Sequence, residues 1–99
     1  MAGPYCTMLL ADAGAEVIKI ERPKIGDPRR SMPPFIEKDG NKKAAGFLGY
    51  NRNKKSLALD VSTSEGQEIF KDLAKKADVV VENLRPGSMK KLGLSYEDL

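Results

Sequence analysis

Arginines that directly follow apolar segments are the residues here best suited to chemistry. A guanidinium meets phosphate oxygens through a two-pronged fork that a lysine ammonium lacks. Arg22 stands between Glu21 and Pro23, and Arg85 between Asn83-Leu84 and Pro86. A third cluster, Asp60-Val61-Ser62, closes the stretch Ser56 to Leu59. The competing reading makes each arginine a solvated loop residue or a partner of Glu21 or Glu82. Asn83 is placed to read a ribose or base edge; its alternative is an asparagine that bonds its own backbone in a turn. Asn51-Arg52-Asn53-Lys54-Lys55 carries three cations and reads as a solvated loop ahead of a phosphate grip. Cys6 reads as a small packing residue, because the chain has no histidine to activate its thiol. One cysteine and no histidine also argue against a zinc site or a histidine-based triad.

These clusters act together only if strands carry them to one edge, since open α/β sheets bind ligands at the carboxyl ends of their strands. Pro4 to Ala13 has the pattern of a helix, with Tyr5, Met8, Leu9 and Leu10 on its apolar side and Gly14 suited to close it. Glu16 to Ile20 and Ser56 to Leu59 read as strands. Residues 21–44, rich in proline and charge, read as a long functional loop, and Ala45 to Tyr50 as a helical turn. Ser64 with Gln67 has capping-box spacing for a helix whose core face is Ile69, Phe70, Leu73, Ala74 and Ala77. The unbroken run Asp78 to Glu82 predicts a strand buried on both faces of a parallel sheet. Pro86 opens a short helix that Gly93 ends, and Ser95 with Asp98 marks another helix start. Helix and strand alternate, which predicts an α/β fold with a Rossmann-like parallel sheet. The chain opens on a helix and closes on a helix cap, so the sheet is expected to be incomplete and the domain truncated at both ends.

Composition narrows the function classes. The balance of 40% hydrophobic and 31% charged residues is that of a globular chain, and no apolar run approaches the roughly 18–20 residues that span a bilayer. The net charge of +3 is too mild for nucleic acid and suits a small polyanion. No nucleic-acid or membrane partner is therefore expected, and a single cysteine fits a cytoplasmic chain. Two classes stay open from the residues alone. In a dinucleotide-dependent dehydrogenase, Glu21 would hold a ribose and Arg22 a 2′-phosphate. In a CoA enzyme, the basic side chains would hold the phosphates of CoA.

Four segments, in order, resemble the family III CoA-transferases, a group that also contains acyl-CoA racemases. They are AGPYCTMLLADAGAEVIKIERP at residues 2–23, GDPRR at 26–30, NRNKKSLALDVSTSEG at 51–66 and ADVVVENLRPGSMKKLGLSYEDL at 77–99. The resemblance implies that residues 1–99 are the N-terminal part of a CoA-binding large domain, with acyl-CoA and a carboxylic acid as substrates and no covalently bound cofactor. It implies an interlocked homodimer for the whole protein, cytoplasmic, or mitochondrial or peroxisomal in a eukaryote. By position, Ala2 would line the CoA site and Arg22 would meet the nucleotide phosphates. Leu59, Asp60, Val61 and Ser62 would flank the adenine, and Asn83, Leu84 and Arg85 would border the adenosine and pantetheine. Lys91 falls where some members carry a phosphate-binding arginine. The family's nucleophile is an aspartate that attacks the thioester; Asp60, Asp72, Asp78 and Asp98 do not match it, so no catalytic residue is expected within the chain. A racemase of the same family and an inactive stub are the alternatives that this resemblance leaves.

Overall fold

A computed structural model describes residues 2–99. The chain divides into two units, Met1–Ala58 and Leu59–Leu99. The first contains α1 (Ala2–Asp12), β1 (Val17–Glu21), a 3₁₀ turn (Pro28–Ser31), β2 (Phe35–Lys38), β3 (Asn41–Ala44), α2 (Ala45–Tyr50) and β4 (Lys54–Ala58). β1 and β4 pair in parallel from Val17↔Lys54 to Glu21↔Ala58. Parallel neighbours need a long connection between them, and here it runs through the 3₁₀ turn, the β2–β3 hairpin and α2. The expected α/β class with a parallel sheet is observed.

α1 closes as its sequence predicts. Gly14 adopts φ +105°, its N–H donates to the Ala11 carbonyl at 3.0 Å, and Ala15 N–H donates to the Leu10 carbonyl at 3.0 Å, which caps the last carbonyls. The buried face differs from the expected one. Met8 and Ala11 are buried, with Pro4 and Thr7 half-buried, while Tyr5, Leu9 and Leu10 are exposed. Cys6 is exposed as well, so it is not a packing residue. It lies about 200° round the helix from Pro4 and from Met8, on the far side from the buried face.

The segment 21–44 holds more structure than its prolines suggest. β2 and β3 form an antiparallel hairpin from Phe35↔Ala44 to Lys38↔Asn41. Asp39 and Gly40 turn it with φ +52° and +79°, as a two-residue Asp-Gly turn requires.

The second unit contains α3 (Ser64–Lys76) and α4 (Ser88–Lys91). The cap of α3 is Thr63 rather than Ser64: its hydroxyl accepts from Gly66 N–H at 3.0 Å, while Gln67 donates its side-chain amide to the Val61 carbonyl at 3.1 Å. Phe70, Leu73 and Ala74 are half-buried, Ile69 is exposed, and Ala77 lies past the helix. Gly93 ends α4 with φ +70°, and Leu94 behind it is buried. Asp98 accepts from Ser95 N–H at 2.9 Å, half of the expected capping box. The strand expected over Asp78 to Glu82 does not form. A strand is held by its neighbour's hydrogen bonds, and among the described residues nothing pairs with this run. Val79, Val80 and Val81 are 70%, 40% and 42% exposed.

The first unit is tied together by one buried carboxylate. Glu21 is 6% exposed. Arg30 grips it through Nε to Oε2 at 2.8 Å and a terminal nitrogen to Oε1 at 2.9 Å. Asp27 N–H donates to Oε2 at 2.9 Å and the Ser56 hydroxyl to Oε1 at 2.9 Å. The Arg30 fork, with the Asp27 and Ser56 donors, outweighs the opposing effect of burial and lowers the pKa from 4.5 to about 2.

Two outcomes follow from this architecture. A depressed carboxylate pKa contributes stability that is present above pH 4.5 and is lost as pH falls toward 2. With a half-exposed Arg30 discounted for solvent screening, that contribution is about 2 kcal/mol. Glu21→Gln is expected to lower stability by that amount near neutral pH and to flatten the acid loss across this window. Urea titrations at several pH values check it, and an unaltered acid limb would refute it. The exposed valines predict self-association; Val79→Lys with Val81→Lys should shift sedimentation toward monomer, and an unchanged profile would contradict the reading.

Candidate functional site

β1 delivers Glu21 and Arg22 side by side, and the fold assigns them opposite duties. Glu21 is fully engaged by the donors just described, so it is not available to hold a ribose. That removes the residue on which the dehydrogenase reading rests. Arg22 is exposed and makes no side-chain hydrogen bond or ion pair among the described residues; Glu21 selects Arg30 instead. Ala2 is exposed at the first position of α1.

Of the cations of Asn51 to Lys55, Arg52 and Lys55 are exposed, as the solvated reading expects, but each also has an acidic partner, and Lys54 is half-buried. Arg52 forks onto Asp12, with Nε to Oδ1 at 3.1 Å and a terminal nitrogen to Oδ2 at 2.7 Å, and Asn53 adds a bond to Oδ1 at 2.8 Å. The Arg52 bond chiefly holds the Asp12 pKa below the usual carboxylate value. Lys54 Nζ donates to the Pro4 carbonyl at 3.0 Å and to Asn51 Oδ1 at 2.8 Å; burial, then the nearby charge of Lys19, lowers its pKa. Lys55 pairs with Glu16 at 3.0 Å in solvent.

A cleft of about 100 Å³ opens in the same unit between Pro4, Asp27, Arg29, Gly46, Tyr50 and Asn51. Asp27 caps the 3₁₀ turn by accepting from Arg29 N–H at 2.8 Å and is neutralised by Lys19 at 2.8 Å. Burial opposes its charge, but these bonds prevail and its pKa is lowered. Arg29 Nε is buried without a hydrogen-bond partner among the described residues. A buried unpaired polar group costs on the order of 1–3 kcal/mol. Gly46 leaves room for this guanidinium, since a Cβ there would lie 3.1 Å from Nε. Sequence reasoning did not single out Arg29; the Asp-Pro helix start before it was a usable signal.

In the second unit, Leu59 through Ser62 form the approach to α3. Asp60 accepts from the Ser62 N–H at 3.0 Å and from its hydroxyl, and these bonds, the hydroxyl first, lower its pKa. Thr63 hydroxyl donates to the Asp60 carbonyl at 2.9 Å. Gly66 packs beneath: a Cβ there would collide with the carbonyl carbon and oxygen of Asp60. Leu59 and Val61 are half-buried. Asn83, Leu84 and Arg85 are exposed and follow no paired strand. The turn alternative for Asn83 is not seen; Glu82, not Asn83, accepts from Leu84 N–H at 2.9 Å. Arg85 makes no ion pair with Glu82 among the described residues. Lys91 is exposed in the last turn of α4.

Residues 1–99 match the model of the CoA-transferase family III. The chain is 54% identical, over its whole length, to a succinyl-CoA:mesaconate CoA-transferase from Haloarcula hispanica, of which it covers 25%. It is 50% identical to a succinyl-CoA:glutarate CoA-transferase from Mus musculus, covering 100% of this chain and 22% of that protein. The crystal structure of a CAIB/BAIF family protein from Brucella suis superposes with a TM-score of 0.87 at 45% identity, over 99% of this chain and 26% of that one. The chain belongs to CoA-transferase family III, and it spans about a quarter of the length of the curated relatives it matches.

The close approach of Gly66 to Asp60 gives a test of how the 59–62 segment is set. Gly66→Ala forces the loop or α3 to move and is expected to destabilise by about 1–3 kcal/mol. An unchanged denaturant midpoint would show that the loop yields without cost.

Proposed function

We propose that the protein carrying this chain transfers CoA between an acyl-CoA thioester and a free carboxylic acid, and that this chain supplies the N-terminal part of its CoA-binding large domain. The observation that carries the reading is the state of Arg22: exposed, and unpaired among the described residues, at the carboxyl end of β1 in a chain whose relatives are CoA-transferases. An unpaired arginine at a strand end in an α/β fold suits a phosphate oxygen. In the second unit Arg85 and Lys91 are likewise exposed, and the charge of each suits a phosphate oxygen. The loop Leu59–Ser62 offers backbone groups to the adenine, since Asp60 and Ser62 side chains already bond each other.

In this reading the nucleophile is an aspartate outside residues 1–99. It attacks the thioester carbonyl, CoA leaves as the thiolate, and a mixed aspartyl anhydride remains; covalent capture divides one acyl transfer into easier steps. Five of the seven aspartates of this chain have other work. Asp12 and Asp27 are ion-paired with Arg52 and Lys19, Asp60 and Asp98 accept local hydrogen bonds, and Asp39 turns the hairpin.

Two measurements test the proposal. The isolated 99-residue chain is expected to show no transfer between an acyl-CoA and a carboxylate, and turnover by it would overturn the placement of the nucleophile. In the full-length enzyme, Arg22→Ala should weaken CoA by roughly ten- to a hundredfold, equivalent to ~1.5–3 kcal/mol, and leave pantetheine nearly unchanged. Equal losses for both ligands would make Arg22 a structural residue.

A further inference from the structure

The cleft between the 3₁₀ turn and α2 belongs to none of the positions assigned to CoA. It is built from residues whose charges are already balanced, with one exception. Asp27 is neutralised by Lys19 at 2.8 Å, and Asn51 is occupied by the Phe47 carbonyl at 3.0 Å and by Lys54 at 2.8 Å. Arg29 is the exception: its guanidinium has a buried Nε–H with no acceptor among the described residues and only the Met32 sulfur at 3.7 Å on a terminal nitrogen. Tyr50, set edge-on against Tyr5 at 6.1 Å, adds a hydroxyl that also lacks a partner among the described residues. The Lys54 ammonium, bonded to Pro4 and Asn51 of the cleft wall, adds to the positive potential.

We propose that this cleft is an acid-recognition subsite, in which Arg29 holds the non-reacting carboxylate of a dicarboxylic acid while its other carboxylate takes part in CoA transfer. The inference rests on the transferase reading above. Size selects the ligand class: about 100 Å³ admits a carboxylate with a short carbon chain, whereas pockets for nucleotide- or drug-sized ligands run to roughly 300–1,000 Å³. Chemistry selects it too. A guanidinium binds a carboxylate through charge-assisted, directional bonds, and the pyrrolidine of Pro4 and the bare backbone of Gly46 offer apolar contact to methylenes. A monocarboxylate fills the same space and leaves the buried Nε–H unsatisfied, which is the usual basis of discrimination against a ligand lacking a polar group. Arg29 is thus a specificity residue.

The test uses the full-length enzyme with one acyl-CoA donor and two acceptors of similar length, glutarate and valerate. Taking the ratio of their kcat/KM values cancels any effect on the donor. Arg29→Met should reduce the preference for glutarate by about tenfold or more, through KM, and Arg29→Lys should restore part of it. Gly46→Ala keeps the arginine but places a methyl 3.1 Å from Nε and 3.2 Å from a terminal nitrogen; it should reduce the preference in the same direction, with the thermal midpoint reporting that the fold is intact. An unchanged glutarate-to-valerate ratio in folded variants would overturn the subsite while leaving the transferase reading in place. An unsubstituted enzyme that transfers no CoA at all would overturn both.

Discussion

Glu21 ends β1 as a charged group in a position that excludes most water, and the first unit is arranged around satisfying it. A carboxylate removed from solvent without partners is too costly to persist, yet this one is held ionised by donors from three separate places in the chain. Arg30 comes from the 3₁₀ turn, the Asp27 N–H from the loop before it, and the Ser56 hydroxyl from β4. Each bond therefore fixes an element as well as a charge. The fork also orients Arg30 over the Phe47 ring at 3.8 Å, which brings α2 into the same arrangement. Gly26 is required by the result: its φ is +67°, and a Cβ would stand 2.7 Å from Glu21 Oε2.

That demand decides which cations are left for ligands. Seventeen basic residues face fourteen acidic ones, so the bulk numbers say little about where positive charge is available. Arg30 and Arg52 are bound in forks, and Lys19, Lys54 and Lys55 are bound to oxygen acceptors. Arg22 and Arg29 are not, although they flank the same carboxylate network in sequence. The first is exposed after a strand and the second is enclosed beside Gly46. Two arginines of the same loop are thus left in different settings, one open to solvent and the other with a buried Nε.

Local signals in the sequence were reliable where the cause of structure is local. Gly14 and Gly93 stop their helices because a left-handed residue frees the last carbonyls to be capped within the next two residues. The parallel strands Glu16 to Ile20 and Ser56 to Leu59 were legible, within a residue or two at each end, the first from its β-branched alternation. The Asp39-Gly40 turn was equally local, but the surrounding prolines and charges obscured the hairpin that it makes. The run Asp78 to Glu82 shows the opposite limit: its composition is that of a buried strand, but a strand exists only with a neighbour to bond.

The sequence by itself determined the family, the α/β class, the helix stops and the candidate positions for CoA, because these depend on residue types at fixed separations along the chain. Tertiary structure decided how each charge is used. Whether Arg22, Arg30 or Arg29 answers Glu21 is a question of which guanidinium reaches a buried carboxylate with the right geometry, and the three differ by a few positions that no composition or period distinguishes. The same holds for Arg52 and Asp12, forty residues apart, which become partners because β4 returns beside β1. Charge pairing falls steeply with distance and with solvent exposure, and both are properties of the folded chain alone.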